Sequence, residues 1–178
     1  PRPYNEDNRQ WWNTLTRLDY VVSGSQLLTF KLHAAPQRLM FYGLGFYNPQ
    51  PVTPNYWGNE GMADLSHKIN IAGGMLESAV SISQVYARVA GQGDAALVMT
   101  PFGNQGNYFM RQDRRAQKLE WLENWTPKPA GGRLNHHLKA GFSVLRAHAR
   151  GRFYAQPVSV TGTRQELLES IRFINRSG

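Results

Sequence analysis

Apolar side chains recur along this chain at two spacings. Trp11, Leu15, Leu18 and Val22 lie three or four residues apart, the interval that stacks side chains on one face of a helix. This predicts a helix over about residues 7–19, with Asn5 or Asp7 as its N-cap. Leu65, Ile69, Ala72, Leu76, Ala79, Ser83 and Tyr86 form a similar stripe and predict a helix from Asp64 to Ala90. Gly73–Gly74 falls inside it. Two adjacent glycines cost about 2 kcal/mol of helix propensity relative to alanine, so the helix breaks there or another backbone packs close.

Three more helices are expected. One covers Tyr108 to Trp125 and is ended by the Thr126–Gly132 segment. A second follows Leu134, Leu138, Phe142, Leu145 and Ala149. The last opens at Thr163-Arg-Gln-Glu166, which matches a capping box, and buries Leu167, Leu168, Ile171 and Ile174. The second spacing is alternation. Leu28, Phe30 and Leu32 alternate with Thr29, Lys31 and His33, the mark of a strand with one wet face. Arg38 to Phe46, Ala95 to Thr100 and Phe153 to Val160 are further strands, and Pro157 suits an edge position. The expected fold is α+β over 1–178 as a single domain: several amphipathic helices, a small mostly antiparallel sheet, and long Pro/Gly/aromatic connectors.

The chief connector is Gly45–Gly61, which holds Pro49, Pro51 and Pro54. Proline fixes φ and biases the residue before it toward extended backbone. The segment reads as a stiff strap without regular structure, with Phe46 and Tyr47 anchoring one end and Tyr56 and Trp57 the other. These four rings either cap the chain's own core or reach into a partner. The outward ring of the Trp11–Trp12 pair, assigned to Trp12, is a further candidate partner contact.

Charge changes the picture. The net charge is +8, and arginines outnumber lysines fifteen to five. Residues 1–100 carry seven basic and seven acidic side chains, and residues 101–178 carry thirteen and five, so the whole excess lies in the second part. Such a segment suits an anionic partner. On the predicted helix, Arg111, Arg114, Arg115 and Lys118 make one basic stripe. Arg146, Arg150 and Arg152 form a second group, and Arg150-Gly-Arg-Phe-Tyr154 interleaves cations with rings, a combination that clamps phosphates and stacks bases. Arg152 stands where an RRM signature requires an aromatic.

Candidate chemistry is sparse. There is no cysteine, which excludes disulfides and thiolate metal sites. Gly91-Gln-Gly-Asp-Ala-Ala96 matches a dinucleotide fingerprint in letters, but it is expected to follow a helix and precede a strand, the reverse of what that site requires. The adjacent His136–His137 pair cannot share a metal as an i, i+4 pair does. No nucleophile or metalloprotease motif occurs. No catalytic residue, metal or cofactor is assigned, and the chain is expected not to be an enzyme. No apolar run is long enough for a spanning helix, and no signal peptide is read. The chain begins at Pro1, as after removal of an initiator Met or of a longer targeting segment.

These readings converge on a non-catalytic accessory or structural subunit of a large multi-protein assembly. The expected setting is organellar, respiratory or ribosomal, with a mitochondrial location and a cytoplasmic one as the alternative. The basic half would bind acidic subunits, RNA or anionic lipid head groups. The alternative is a free-standing nucleic-acid-binding module using the 111–118 stripe and the 146–152 group.

Overall fold

A computed structural model describes residues 8–71, 73–129, 137–174 and 176–177. Eleven strands appear in order: β1 (Asn8–Trp11), β2 (Thr14–Ser23), β3 (Gln26–Met40), β4 (Asn55–Ile71), β5 (Gly74–Ala90), β6 (Leu97–Met99), β7 (Met110–Pro127), β8 (Ala140–Ala155), β9 (Val158–Thr161), β10 (Leu167–Ile171) and β11 (Arg176–Ser177). The single helical element among the described residues is a 3-10 turn at Gln50–Val52.

The α+β expectation is therefore wrong. The helix predicted over 7–19 is β1 and β2. The one over 64–90 is the β4–β5 hairpin, the one over 108–125 is β7, the one from Leu134 to Ala149 is largely β8, and the capping-box segment leads into β10. His136, Leu134, Ala72 and the proposed caps Asn5 and Asp7 lie outside the described residues. The cause of the error is a degeneracy. A separation of four residues returns a helix to the same face and is also two full periods of a strand. Leu65/Ile69, Leu76/Val80 and Trp121/Trp125 satisfy both. Only the steps of three separate the two structures, and alternation of the intervening residues was the better guide.

Seven of the strands form a path β1-β3-β4-β5-β7-β8-β11, with β2 also paired to β3. All these pairings are antiparallel. β1 and β2 lie along the same edge of β3 and act as one interrupted strand. The interruption at Trp12–Asn13 faces Pro36, whose carbonyl accepts the Trp12 amide at 3.0 Å. Proline offers no amide to the ladder, so the neighbour breaks where Pro36 stands.

The predicted Gly73–Gly74 break is a hairpin. Ile71 pairs with Gly74, and Gly73 takes φ +71°, the left-handed region a two-residue hairpin demands. Gly74 meets the close backbone that the sequence suggested. A Cβ there would lie 2.7 Å from the Thr126 carbonyl oxygen and 2.8 Å from Pro127 Cα.

The sheet is mostly one layer. The chain exposes 13168 Å² of surface, whereas a compact 20.2 kDa monomer exposes about 8,800 Å². Its buried hydrophobic side chains are Val52, Ala90, Leu97, Ala155 and Val158. They sit at the end of the sheet where the long connectors gather. There β10, β9 and β6 form a second, three-stranded sheet, with β6 parallel to β9. Val52, Leu97 and Val158 pack together, with Phe109, Ile171 and Phe173 against them.

The Pro-rich strap belongs to this cluster, and it is not irregular throughout. Residues from Asn55 onward are strand β4, so Tyr56 and Trp57 are half-buried strand residues. Thr53 is 1% exposed and its hydroxyl donates to the Gln50 carbonyl at 2.7 Å. Gln92 donates to the carbonyls of Gln50 and Thr53, and Asn107 to that of Pro51. Phe46 and Tyr47 remain exposed and meet edge to face at 5.1 Å.

Candidate functional site: the two faces of the long sheet

Side chains directly opposite one another in a ladder share a face, so the register sorts every long strand into two surfaces. On the first face, one row runs Leu18–Phe30–Leu65–Val80–Trp121–Val144 across six strands. Every member is apolar. The next row toward the connectors is Thr16–Leu32–Ala63–Ile82–Leu119–Arg146, apolar at its centre. Toward the hairpin end come Ile69, Leu76 and Trp125 in one row and Tyr20, Leu28 and Phe142 in another. That latter row also holds His67, Ser78 and Glu123. The Glu123 carboxylate is engaged there, accepting from Ser78 Oγ at 2.6 Å and Trp121 Nε1 at 2.8 Å. This belt stands open: Leu18 is 61% exposed, Val80 46% and Val144 55%.

The second face of the same strands is charged. Four ion pairs lie on it: Arg17–Asp19 at 2.9 Å, Lys31–Asp64 at 3.6 Å, Lys68–Glu77 at 3.1 Å and Lys118–Glu120 at 2.8 Å. Between them stand small or hydroxylated residues such as Ser66, Ala79, Ser81, Ser83 and Ser143, together with the apolar side chains of Met62, Leu122 and Leu145. Asp19 also accepts from the Thr29 hydroxyl at 2.6 Å. That hydrogen bond, then the one from Arg17, favour the charged carboxylate and hold its pKa below the usual 3.8. Such a group stabilises the fold above its unfolded pKa, and the contribution is lost as pH falls through the lower folded value. Titration of Asp19 followed by carboxyl NMR should show a midpoint below 3.8, and Thr29→Val should raise it. An unchanged midpoint in that variant contradicts the Thr29 bond as the main cause.

The predicted basic stripe is divided. Arg111 and Arg115 point to the first face, and Arg114 and Lys118 to the second, because steps of three change face in a strand. Arg146, Arg150 and Arg152 all fall on the first face, and Arg150 stands directly opposite Arg115. The structure thus joins Arg111 and Arg115 to the 146–152 group, with Arg88 beside them. Arg88 was missed because nothing local marks it: it enters through its register with Asp113 and by stacking on Trp57, 5.4 Å from Cζ to ring centroid. Of the proposed partner residues, Trp12 is 71% and Phe46 87% exposed, Tyr47 is 57% exposed, and Tyr56 and Trp57 are half-buried.

Among the described residues there is no group of three or more His, Asp or Glu side chains placed to hold a metal ion. Among them, too, no helix is long and apolar enough to cross a membrane. Strands are a separate matter, since a closed sheet crosses by a different route. Comparison with known families, with characterised proteins and with solved structures gave no match.

Proposed function

We propose that this chain forms part of the wall of a membrane-spanning β-barrel, with its first face toward hydrocarbon and its second toward a hydrated interior. One observation carries the reading: the apolar belt and the four ion pairs occupy opposite faces of the same strands. A water-soluble domain covers an apolar sheet face with a second layer, and this belt has none among the described residues. In a barrel wall, apolar-out and polar-in alternation is the rule.

The apolar rows run from Leu76–Trp125 to Ile82–Leu119, seven residues of β5, and the Tyr86 row beyond them makes eleven. A tilted strand crosses a bilayer in about 9–11, so the crossing takes in the Arg146 and His148 rows. Aromatic side chains border both ends, Trp125 and Tyr20 at one and Trp57 and Tyr86 at the other, as at membrane–water interfaces. Two-residue links join β2 to β3 and β4 to β5 at one end, where β7 to β8 takes the longer segment 128–139, and long segments join β3 to β4 and β5 to β7 at the other. The two hairpin links are as short as the turns at one end of transmembrane barrels.

In this reading the chain is a non-catalytic structural element, as the sequence suggested, and its neighbours are lipid and the remainder of a closed barrel. The organellar setting stays a proposal that rests on the basic pI and the lack of catalytic motifs.

The chain has no cysteine, so a single introduced thiol reports one position. In a folded preparation in phosphatidylcholine vesicles, Val80→Cys should resist a charged, water-soluble maleimide and react with a lipid-soluble one. Ser81→Cys, one residue on and facing the other way, should react with the charged reagent. Equal reaction of both thiols with the charged reagent would falsify the barrel-wall reading.

A further inference from the structure

The first face changes character within two residues. Leu119 and Ile82 end the apolar belt, and Arg146 stands in their row. Beyond it the same face carries His148, then Arg115 opposite Arg150, then Arg88 and Arg152 on either side of Asp113, with Arg111 one pair further. Six guanidinium groups therefore meet one carboxylate. Asp113 is shared between Arg88 at 3.7 Å and Arg111 at 3.4 Å. Among the described residues, Arg115, Arg146, Arg150 and Arg152 have no ion-pair partner.

The group is also concave. A groove of about 740 Å³ has Tyr86, Asp113, Arg115, His148, Arg150 and Arg152 among its lining residues and also reaches Arg114 and Gly151. Within this patch the Nε atoms of Arg88 and Arg115 are shielded from solvent and have no hydrogen-bond partner among the described residues. Arg115 is steadied by its Nη2, which donates to Gln84 Oε1 at 2.8 Å. Unneutralised guanidiniums in a groove, Arg115 held by its hydrogen bond and Arg150 and Arg152 exposed beside it, offer the paired N–H donors that a phosphate accepts.

We propose that this groove binds the phosphate of an anionic lipid headgroup at the membrane surface. The inference rests on the barrel-wall reading. Its occupant follows from continuity: the cations start where the apolar belt stops, on the same face. A lipid places a phosphate and acyl chains at that same adjacency. A nucleic acid would use the arginines and leave the belt uncovered.

The test is native mass spectrometry of the full chain released from vesicles of phosphatidylcholine containing a minority of phosphatidylglycerol. The expected result is selective retention of phosphatidylglycerol. Each arginine removed should lower that preference about fivefold, so Arg115→Gln/Arg150→Gln/Arg152→Gln should lower it about a hundredfold, and Arg146→Gln alone about fivefold. Lys118→Gln, on the opposite face, should leave it unchanged. The Val80 thiol, labelled in the same preparations, reports insertion and folding of each variant. A protected Val80 together with unchanged phosphatidylglycerol retention in the triple variant overturns the headgroup site and leaves the barrel wall standing. A Val80 open to the charged reagent overturns both. Displacement of phosphatidylglycerol by a single-stranded oligonucleotide, but not by inorganic phosphate, would reassign the groove to nucleic acid.

Discussion

Val80→Arg should lower the stability of the bilayer-inserted chain by about 2–4 kcal/mol, the cost of a cation on the lipid face near the midplane. Val80 stands in the wholly apolar row, with Leu65 and Trp121 opposite it on the two neighbouring strands. No carboxylate lies in that row to pair with an introduced guanidinium. The adjacent residue makes the comparison sharp. Ser81 lies between Asp64 and Glu120 on the second face, so Ser81→Arg places its cation between two anions and should change stability by no more than about 0.5 kcal/mol. Both variants share strand, depth and introduced side chain and differ in face. Reversible urea unfolding from phosphatidylcholine vesicles measures each. If the two agree within error, the first face does not meet hydrocarbon.

Gly106→Ala should be the most damaging single change at the connector end, at about 2–5 kcal/mol. Two causes add. Gly106 has φ +87°, where a side chain costs about 1–2 kcal/mol. A Cβ there would also collide with the Ala96 carbonyl oxygen, and would lie 2.9 Å from the Ala96 carbonyl carbon. Forcing backbone apart to admit such an atom adds about 1–3 kcal/mol. The position matters because its neighbours join two long connectors. Gln105 exchanges both backbone hydrogen bonds with Val98 at 2.9 and 2.8 Å. Asn107 accepts from the Ala95 amide and donates to the Pro51 carbonyl, each at 3.1 Å. Hydrogen exchange should therefore speed up at the Val98 and Asn107 amides and stay unchanged across the β4–β5 ladder. Gly24→Ala, with nothing within 4 Å of the added carbon, is the matched control and should be nearly neutral. Uniform acceleration through the whole sheet would show that the connector cluster and the sheet unfold as one unit.

Legibility in the sequence divided along physical lines. Two strand elements could be read directly. Leu28, Phe30 and Leu32 alternate without interruption, and Leu97–Met99 is bounded by turn residues. The longer strands were obscured by their apolar residues at intervals of four, as in Leu65/Ile69 and Trp121/Trp125. Their intervening positions hold small residues, Ala79 and Ala116 among them, that carry no polarity signal. A soluble sheet with one wet face shows a stronger contrast.

The arginines were legible as chemistry but not as a site. Arg150 and Arg152 could be grouped from the sequence because alternate residues share a strand face. Arg115 and Arg88 joined them only through pairing across β5, β7 and β8, which no local pattern encodes. The Gly45–Gly61 segment was half legible. Its prolines do stiffen the chain, but β4 begins inside the segment at Asn55, so Tyr56 and Trp57 are strand residues.

The outer edge of β8 has a consequence for assembly. Among the described residues, β11 pairs with β8 only at Phe153 and Arg152, so the edge from Ala140 to Gly151 offers its backbone groups to no strand. An unpaired amide or carbonyl in hydrocarbon costs several kcal/mol. If this sheet enters a membrane, a strand must first zip onto that edge, and in vesicles of this chain alone a second copy would have to supply it. The seam would then act as a checkpoint, with the chain committing to lipid only once that strand has arrived.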